Sequence, residues 1–184
     1  MKAGVRALGV AESFTGDRST FAGAVVRASR VVDGFAFATA TVGGTDAAET
    51  VVDLYESLDR EDVRYLLLSG VAPAWYNVVD LRRVHEATDR PVVCLSFEAS
   101  DGLEAAIRRE FDGEALADRL ATYRAQPARR RLTVGDHDLF YRAVGIEEGA
   151  AADVVRGFTP EGGRPEPVRV ARLAARAADA WRGE

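Results

Sequence analysis

The sequence predicts an α/β fold of three layers, a mixed sheet with helices on both faces. Three observations predict it. Residues 5–42 read as one strand followed by two longer β segments joined by a tight connection. Residues 63–71, "VRYLLLSGV", form a nearly continuous apolar run, the pattern of a central strand covered on both sides. Beyond it, helical and apolar segments alternate, which places parallel strands under crossover helices.

The first strand, residues 5–11, ends in Ala11–Glu12–Ser13 and breaks at Gly16. "TFAGAVVRAS" (20–29) and "VVDGFAFATATV" (31–42) turn near Arg30, and the second sets Phe35, Phe37 and Thr39 against small residues. They form a hairpin expected to lie beside the first strand. "GGTDAAETVVDLYESL" opens with a glycine pair and turns helical, with Val51, Leu54, Tyr55 and Leu58 at i, i+3, i+4 and i+7. Strand 63–71 is expected to pair with the first strand. "NVVDLRRVHEAT" (77–88) follows as a helix and "RPVVCLSF" (90–97) as another buried strand. Residues 101–125 are helical with a break at Asp112–Gly113. "RRLTV" and "LFYRAVG" flank Gly135–Asp136 as a second hairpin, and "EEGAAADVVRGF" is a helix. After the loop "TPEGGRPEP", a last helix runs from Glu166 to Trp181. Arg169, Arg172 and Arg176 share one of its faces at i, i+3 and i+7. Val170, Leu173, Ala174, Ala177 and Trp181 take the other, so Leu173 and Trp181 are expected to face the core. This order fits a ribonuclease H-like sheet. A flavodoxin-like or Rossmann sheet would need a helix between the second and third strands.

A chain of 184 residues suits a single domain over 1–184, and 47% hydrophobic residues suit a folded one. No run of about 18 apolar residues marks a membrane span, and the first residues lack a signal-peptide pattern. A cytoplasmic protein with no membrane partner is expected. The net charge is −5, and 23 of the 24 basic residues are arginine. That bias suggests a GC-rich, salt-adapted source. An acidic chain binds nucleic acid poorly unless basic residues gather locally; the last helix and "ARRRL" (128–132) are the candidates. Cys94, the single cysteine, excludes an internal disulfide or a zinc–cysteine cluster and reads as a small core residue.

The common nucleotide-binding, zinc-protease and serine-hydrolase motifs are missing. Polar residues gather instead at the ends of strands, where open sheets bind ligands. These are Glu12–Ser13, Gly43–Gly44–Thr45–Asp46, Ser69–Gly70, and Ser96 with Glu98. The candidate catalytic set is Glu12, Asp46 and Ser69. Glu12 and Asp46 would hold Mg²⁺ or Mn²⁺, and Ser69 would assist through water. Each has an ordinary reading too. Asp46 and Glu49 have capping-box spacing, which the sequence favours, and Glu12 also fits a solvated strand end. Asp80 reads as a local cap, and His85 and His137 as surface residues. The candidate substrate contacts are Trp75, Tyr76, Asn77, Arg169 and Arg172. The two rings lie just after the central strand, where they would stack a base or pack the corner.

The ordered pieces "RALGVAESF", "VDGFAF" with "VGGTDA", "LLLSGVAPAWYNVVDL", "RPVVCLSF" and "PEPVRVARLAA" resemble the archaeal endonuclease dU family across most of the chain. The resemblance implies a ribonuclease H-like fold related to endonuclease V. It implies a metal-dependent hydrolase of DNA repair that cuts near deaminated bases such as uracil, with DNA as partner and Mg²⁺ or Mn²⁺ as cofactor. Three sites depart from the family pattern. Gly9–Val10–Ala11–Glu12 stands where the family has Gly-Ile-Asp-Asp, and Ser69–Gly70 where it has Asp-Gly. Gly43–Gly44–Thr45–Asp46 stands for Asp-Gly-x-Asp. The missing acids imply weakened metal binding. The alternative reading is a non-catalytic descendant that binds nucleic acid or a protein partner.

Overall fold

The computed structural model describes residues 1–183 and places seven strands in one mixed sheet, in the order β3-β2-β1-β4-β5-β7-β6. The chain begins with β1 (Arg6–Ser13), β2 (Arg18–Arg27) and β3 (Val32–Thr41). Strands β2 and β3 pair antiparallel, and β2 lies antiparallel to β1. Arg30 makes the turn with φ of 70°. Strands β4 (Val63–Ser69) and β5 (Val92–Ser96) run parallel to β1, so three strands end on one side. Strand β4 sits between β1 and β5, the central place its two-sided apolarity requires. The second hairpin, β6 (Arg130–Val134) and β7 (His137–Val144), closes the far edge against β5.

The helices are α1 (Ala47–Ser57), α2 (Pro73–Tyr76), α3 (Leu81–Thr88), α4 (Glu104–Glu110), α5 (Gly113–Arg124), α6 (Glu148–Gly157) and α7 (Glu166–Arg182). Helices α1 and α3 cover one face over Leu8, Val10, Phe21, Leu66 and Leu68. Helices α6 and α7 cover the other over Leu67, Val93 and Leu95. The expected break at Asp112–Gly113 separates α4 from α5. Residues 77–80, expected as helix, are not helical: Asp80 is the N-cap of α3, accepting from the amides of Arg82 (3.0 Å) and Arg83 (3.3 Å).

The last helix corrects the expected orientation. Leu173 and Trp181 are 56% and 76% exposed, while Val168, Ala171, Ala175 and Asp179 point inward. The cause is the small-residue surface beneath. Gly9, Ala11, Ala22 and Ala24 let α7 approach closely, and a Cβ on Gly9 would stand 2.1 Å from the Pro167 backbone. Such a seat takes alanines at close-packed density and has no room for an indole. No described helix is long and apolar enough to cross a membrane.

Candidate functional site

Alternation along β1 decides what its end offers. Ala11 turns to the α7 face and packs with Ala24, Val26 and Ala171. Glu12 turns the other way, where the Ser19 hydroxyl donates to its carboxylate at 2.5 Å. Glu12 and Ser69 line one crevice of about 10 Å³ between the ends of β1 and β4. That is room for roughly one water.

Asp46 is held elsewhere. Its carboxylate accepts from the Thr41 amide (3.1 Å), the Thr41 hydroxyl (2.9 Å) and the Asn77 amide (2.7 Å). Burial acts to raise this carboxyl, but the bonds from Asn77 and Thr41 outweigh it and hold it below the ordinary range. The expected capping box does not form. Asp46 makes no side-chain cap bond, and Glu49 pairs with Arg83. The α1 amide at Ala47 is capped instead from a distance, by Asn77 Oδ1 at 2.9 Å. Asn77 also donates to the Thr41 carbonyl at 3.0 Å and is fully buried. It is therefore a clamp and not the substrate contact expected, because its amide is already used inside the fold.

The turn before it is strained. Ala74 (φ 47°, ψ 52°), Trp75 (φ 57°, ψ 69°) and Tyr76 (φ 56°) wind left-handed, a conformation non-glycine residues rarely adopt. The turn is held by the Gly43 amide, which donates to Ala74 O at 2.7 Å, and by the Asn77 amide to Pro73 O at 3.0 Å. Trp75 is left 49% exposed beside Tyr76, while Tyr76 packs edge-on to Phe111. Of the two expected stacking residues, Trp75 is thus the one open to solvent.

A cleft of about 320 Å³ opens at the ends of β4 and β5, lined by Ser69, Ser96 and four arginines. Arg129 donates to Ser96 Oγ (3.2 Å), to Ser100 O (2.8 Å) and to Glu98 O, and lies over Phe140. Arg142 donates to Pro127 O and to the Tyr123 hydroxyl (3.2 Å). Arg164, from the loop before α7, lies 3.9 Å over the Phe97 ring. Arg172 enters from α7. Among the described residues none of the four is in an ion pair. Burial lowers the Arg164 pKa, and the charges of Arg172 and Arg176 lower it further against the opposing effect of Glu98. Arg169, expected to act beside Arg172, forms a two-bonded pair with Glu166 (2.6 and 2.7 Å).

The donor set does not fit a divalent cation. No three His, Cys, Asp or Glu side chains gather among the described residues. Asp46 is satisfied by its own fold, the Glu12 carboxylate accepts from Ser19, and the open cleft carries four arginines against the one carboxylate residue Glu98. Cys94 lines the same region, but burial pushes its thiol up to about 12 despite Arg142, so it is no nucleophile. His85 is structural, its Nδ1 2.8 Å from Arg90 O and its ring filling the space over Gly145. Sequence reasoning missed Arg142 and Arg164. Arg129 lay in the basic run "ARRRL"; its neighbours Arg130 and Arg131 pair with Glu148 and Asp138. The diglycine before Arg164 marks a loop but not its direction.

The model of the endonuclease dU family matches residues 3–179. A UPF0215 protein of Pyrobaculum aerophilum is 35% identical over 178 residues, covering 93% of this chain and 92% of its own. One from Thermococcus kodakarensis is 34% identical over 164 residues, covering 88% and 82%. Among solved structures, a protein of unknown function from Archaeoglobus fulgidus superposes with a TM-score of 0.82 at 26% identity, covering 94% of this chain and 97% of that one. Human ENDOV superposes at 0.69 and 16% identity, covering 97% and 86%. Endonuclease V of Ciona intestinalis, solved with inosine-containing DNA, superposes at 0.65 and 11%, covering 96% and 86%. These last two show the shared fold. With the family model spanning nearly all of it, the chain belongs to the endonuclease dU family.

Proposed function

We propose that this protein binds DNA across the cleft at the ends of β4 and β5, as a member of a nuclease family that here carries Ala11 and Ser69 where the family has acids. The observation that carries the reading is the set of four arginines lining that cleft without carboxylate partners. Clustered cations without ion pairs favour an anion, and the phosphate backbone supplies most protein–DNA affinity. The neighbour solved with inosine-containing DNA supports the choice of ligand. Trp75, exposed on its strained turn, would stack an unpaired base. Arg172 and Arg164 would contact phosphate. Fluorescence anisotropy with undamaged and uracil-containing DNA, over a series of salt concentrations, tests this. Binding should weaken steeply with salt, and Arg172→Gln should lower the salt slope by about one. Trp75→Ala should weaken single-stranded or lesion-bearing DNA more than intact duplex. Absence of salt-dependent binding rejects the reading.

A second reading, an endonuclease acting at uracil, is favoured by the family match. Its test is nicking of uracil-containing DNA with Mg²⁺ or Mn²⁺. Nicking by the native chain that disappears in Glu12→Ala supports it; DNA binding without nicking leaves the first reading in place.

A further inference from the structure

The cleft arginines are not equivalent. Arg129 uses its donors on Ser96, Ser100 and the Glu98 carbonyl, and Arg142 on Pro127 and Tyr123. They are anchored walls. Arg164 and Arg172 make no hydrogen bond to any described residue, and both line the same cleft as Ser69 and Ser96. Each guanidinium carries five N–H donors in a planar fork. Arg164 lies 3.9 Å over the Phe97 ring and its N–H donors have no described partner, so the fork is free to receive two oxygens of one phosphate. Arg172 stands one residue beyond Ala171, which packs against Ala11 at the end of β1.

The charge sign at this place matters. A Mg²⁺ site needs several carboxylate oxygens to offset the ion. Here Ser69 and Ser96 offer neutral hydroxyls, and Glu98 is the single carboxylate residue of the lining, against four arginines. Arg164 and Arg172 add positive charge, so a divalent cation would be repelled and an anion attracted. Burial is the main influence that lowers the Arg164 pKa, with Arg172 and Arg176 adding to it and Glu98 opposing; an anion among these guanidiniums would offset their mutual repulsion.

We propose that Arg164 and Arg172, with the hydroxyls of Ser69 and Ser96, form a seat that grips one phosphate directly, with no divalent cation between protein and ligand. That this phosphate belongs to DNA rests on the function proposed above; the seat itself does not. Two measurements separate them. The first is the melting temperature of the full chain in EDTA, in inorganic phosphate against chloride at matched ionic strength. Phosphate should raise it for the native protein, and the rise should vanish in Arg172→Gln and shrink in Arg164→Lys, which keeps the charge and loses the fork. Arg172 is only half-buried, so its variant reports on the seat even if changes at Arg164 disturb the packing on Phe97. The second is DNA anisotropy in EDTA against Mg²⁺. Affinity should be the same in both, and each variant should lose roughly 10-fold or more. DNA binding that requires Mg²⁺, with no stabilisation by phosphate, overturns the seat and leaves DNA binding standing. Stabilisation by phosphate that the variants abolish, without DNA binding, keeps the seat and overturns the DNA reading. Stabilisation that persists in both variants overturns the seat.

Discussion

Asn77 joins three pieces of chain with one amide: the end of β3 at Thr41, the start of α1 at Ala47, and the carboxylate of Asp46. That single side chain holds the Gly43–Asp46 loop against the left-handed turn that presents Trp75. Arg119, itself buried, supports the same loop, donating to the carbonyls of Gly43 and Gly44 while its guanidinium lies 3.9 Å over the Phe111 ring. Left-handed residues cost free energy, about 1–2 kcal/mol each, and persist where surrounding contacts outweigh the cost. At the opposite end of the sheet, Asp33 accepts from Arg27 and Arg6, each at 2.6 Å. The hydrogen bond from Arg27 is the largest influence on this carboxyl. With the help of Arg6, and against the opposing effect of burial, it brings the pKa down to about 2. The unfolded value is about 3.9, so the folded state favours the ionised form. That stabilisation is complete above pH ~4 and is lost as pH falls toward ~2. Thermal melts should therefore show the native chain losing more stability than Asp33→Asn between pH 5 and pH 2. Parallel pH profiles would mean that the pair of arginines contributes nothing.

Helix α7 is the element whose amphipathic pattern misleads. Its bulky apolar residues, Leu173 and Trp181, lie outward, and Trp181 borders an open groove with Phe35 and Phe37 of the edge strand β3. The inward row is small because Gly9 brings β1 into backbone contact with Pro167. Substitutions should rank opposite to side-chain size. Trp181→Ala should change stability by less than about 0.5 kcal/mol. Ala171→Leu should cost about 1–3 kcal/mol, because Ala11 and Ala24 leave no space for the added methylenes. Urea unfolding of the two variants measures both, and a larger loss from Trp181→Ala would reverse the assigned orientation. Helix α1 shows a related effect: its first turn is capped by Asn77, 30 residues away, rather than by the adjacent Asp46.

For the whole molecule, charge is distributed against its average. A chain of net charge −5 gathers four arginines that form no ion pair with a described residue in one cleft at the ends of β4 and β5. Local potential, not net charge, then governs what approaches that cleft. The sheet runs unbroken from β3 to β6, and its two faces share the same central strands. Unfolding should therefore be a single cooperative transition over residues 1–184. Far-ultraviolet circular dichroism and the fluorescence of Trp75 and Trp181 should give coincident curves. Two separated midpoints would divide the chain into independent units.

The sequence by itself determined the element order, the central place of β4, the hairpin beside β1 and the break at Asp112–Gly113, because periodicity and apolar runs report local structure and two-sided burial directly. The resemblance to the family added that Ala11 and Ser69 stand where the family carries acids. Only the tertiary structure decided which charges gather at the strand ends. Arg164 and Arg172 are brought into the same cleft as Ser69 by a loop and a helix about a hundred residues away in sequence. Arg169 and Arg172 look alike in the helical repeat, yet one is paired with Glu166 and the other is open. The burial of Asn77 and the reversed face of α7 were hidden for the same reason. Both depend on how closely two distant backbones approach, and that distance is set by packing partners no local pattern contains.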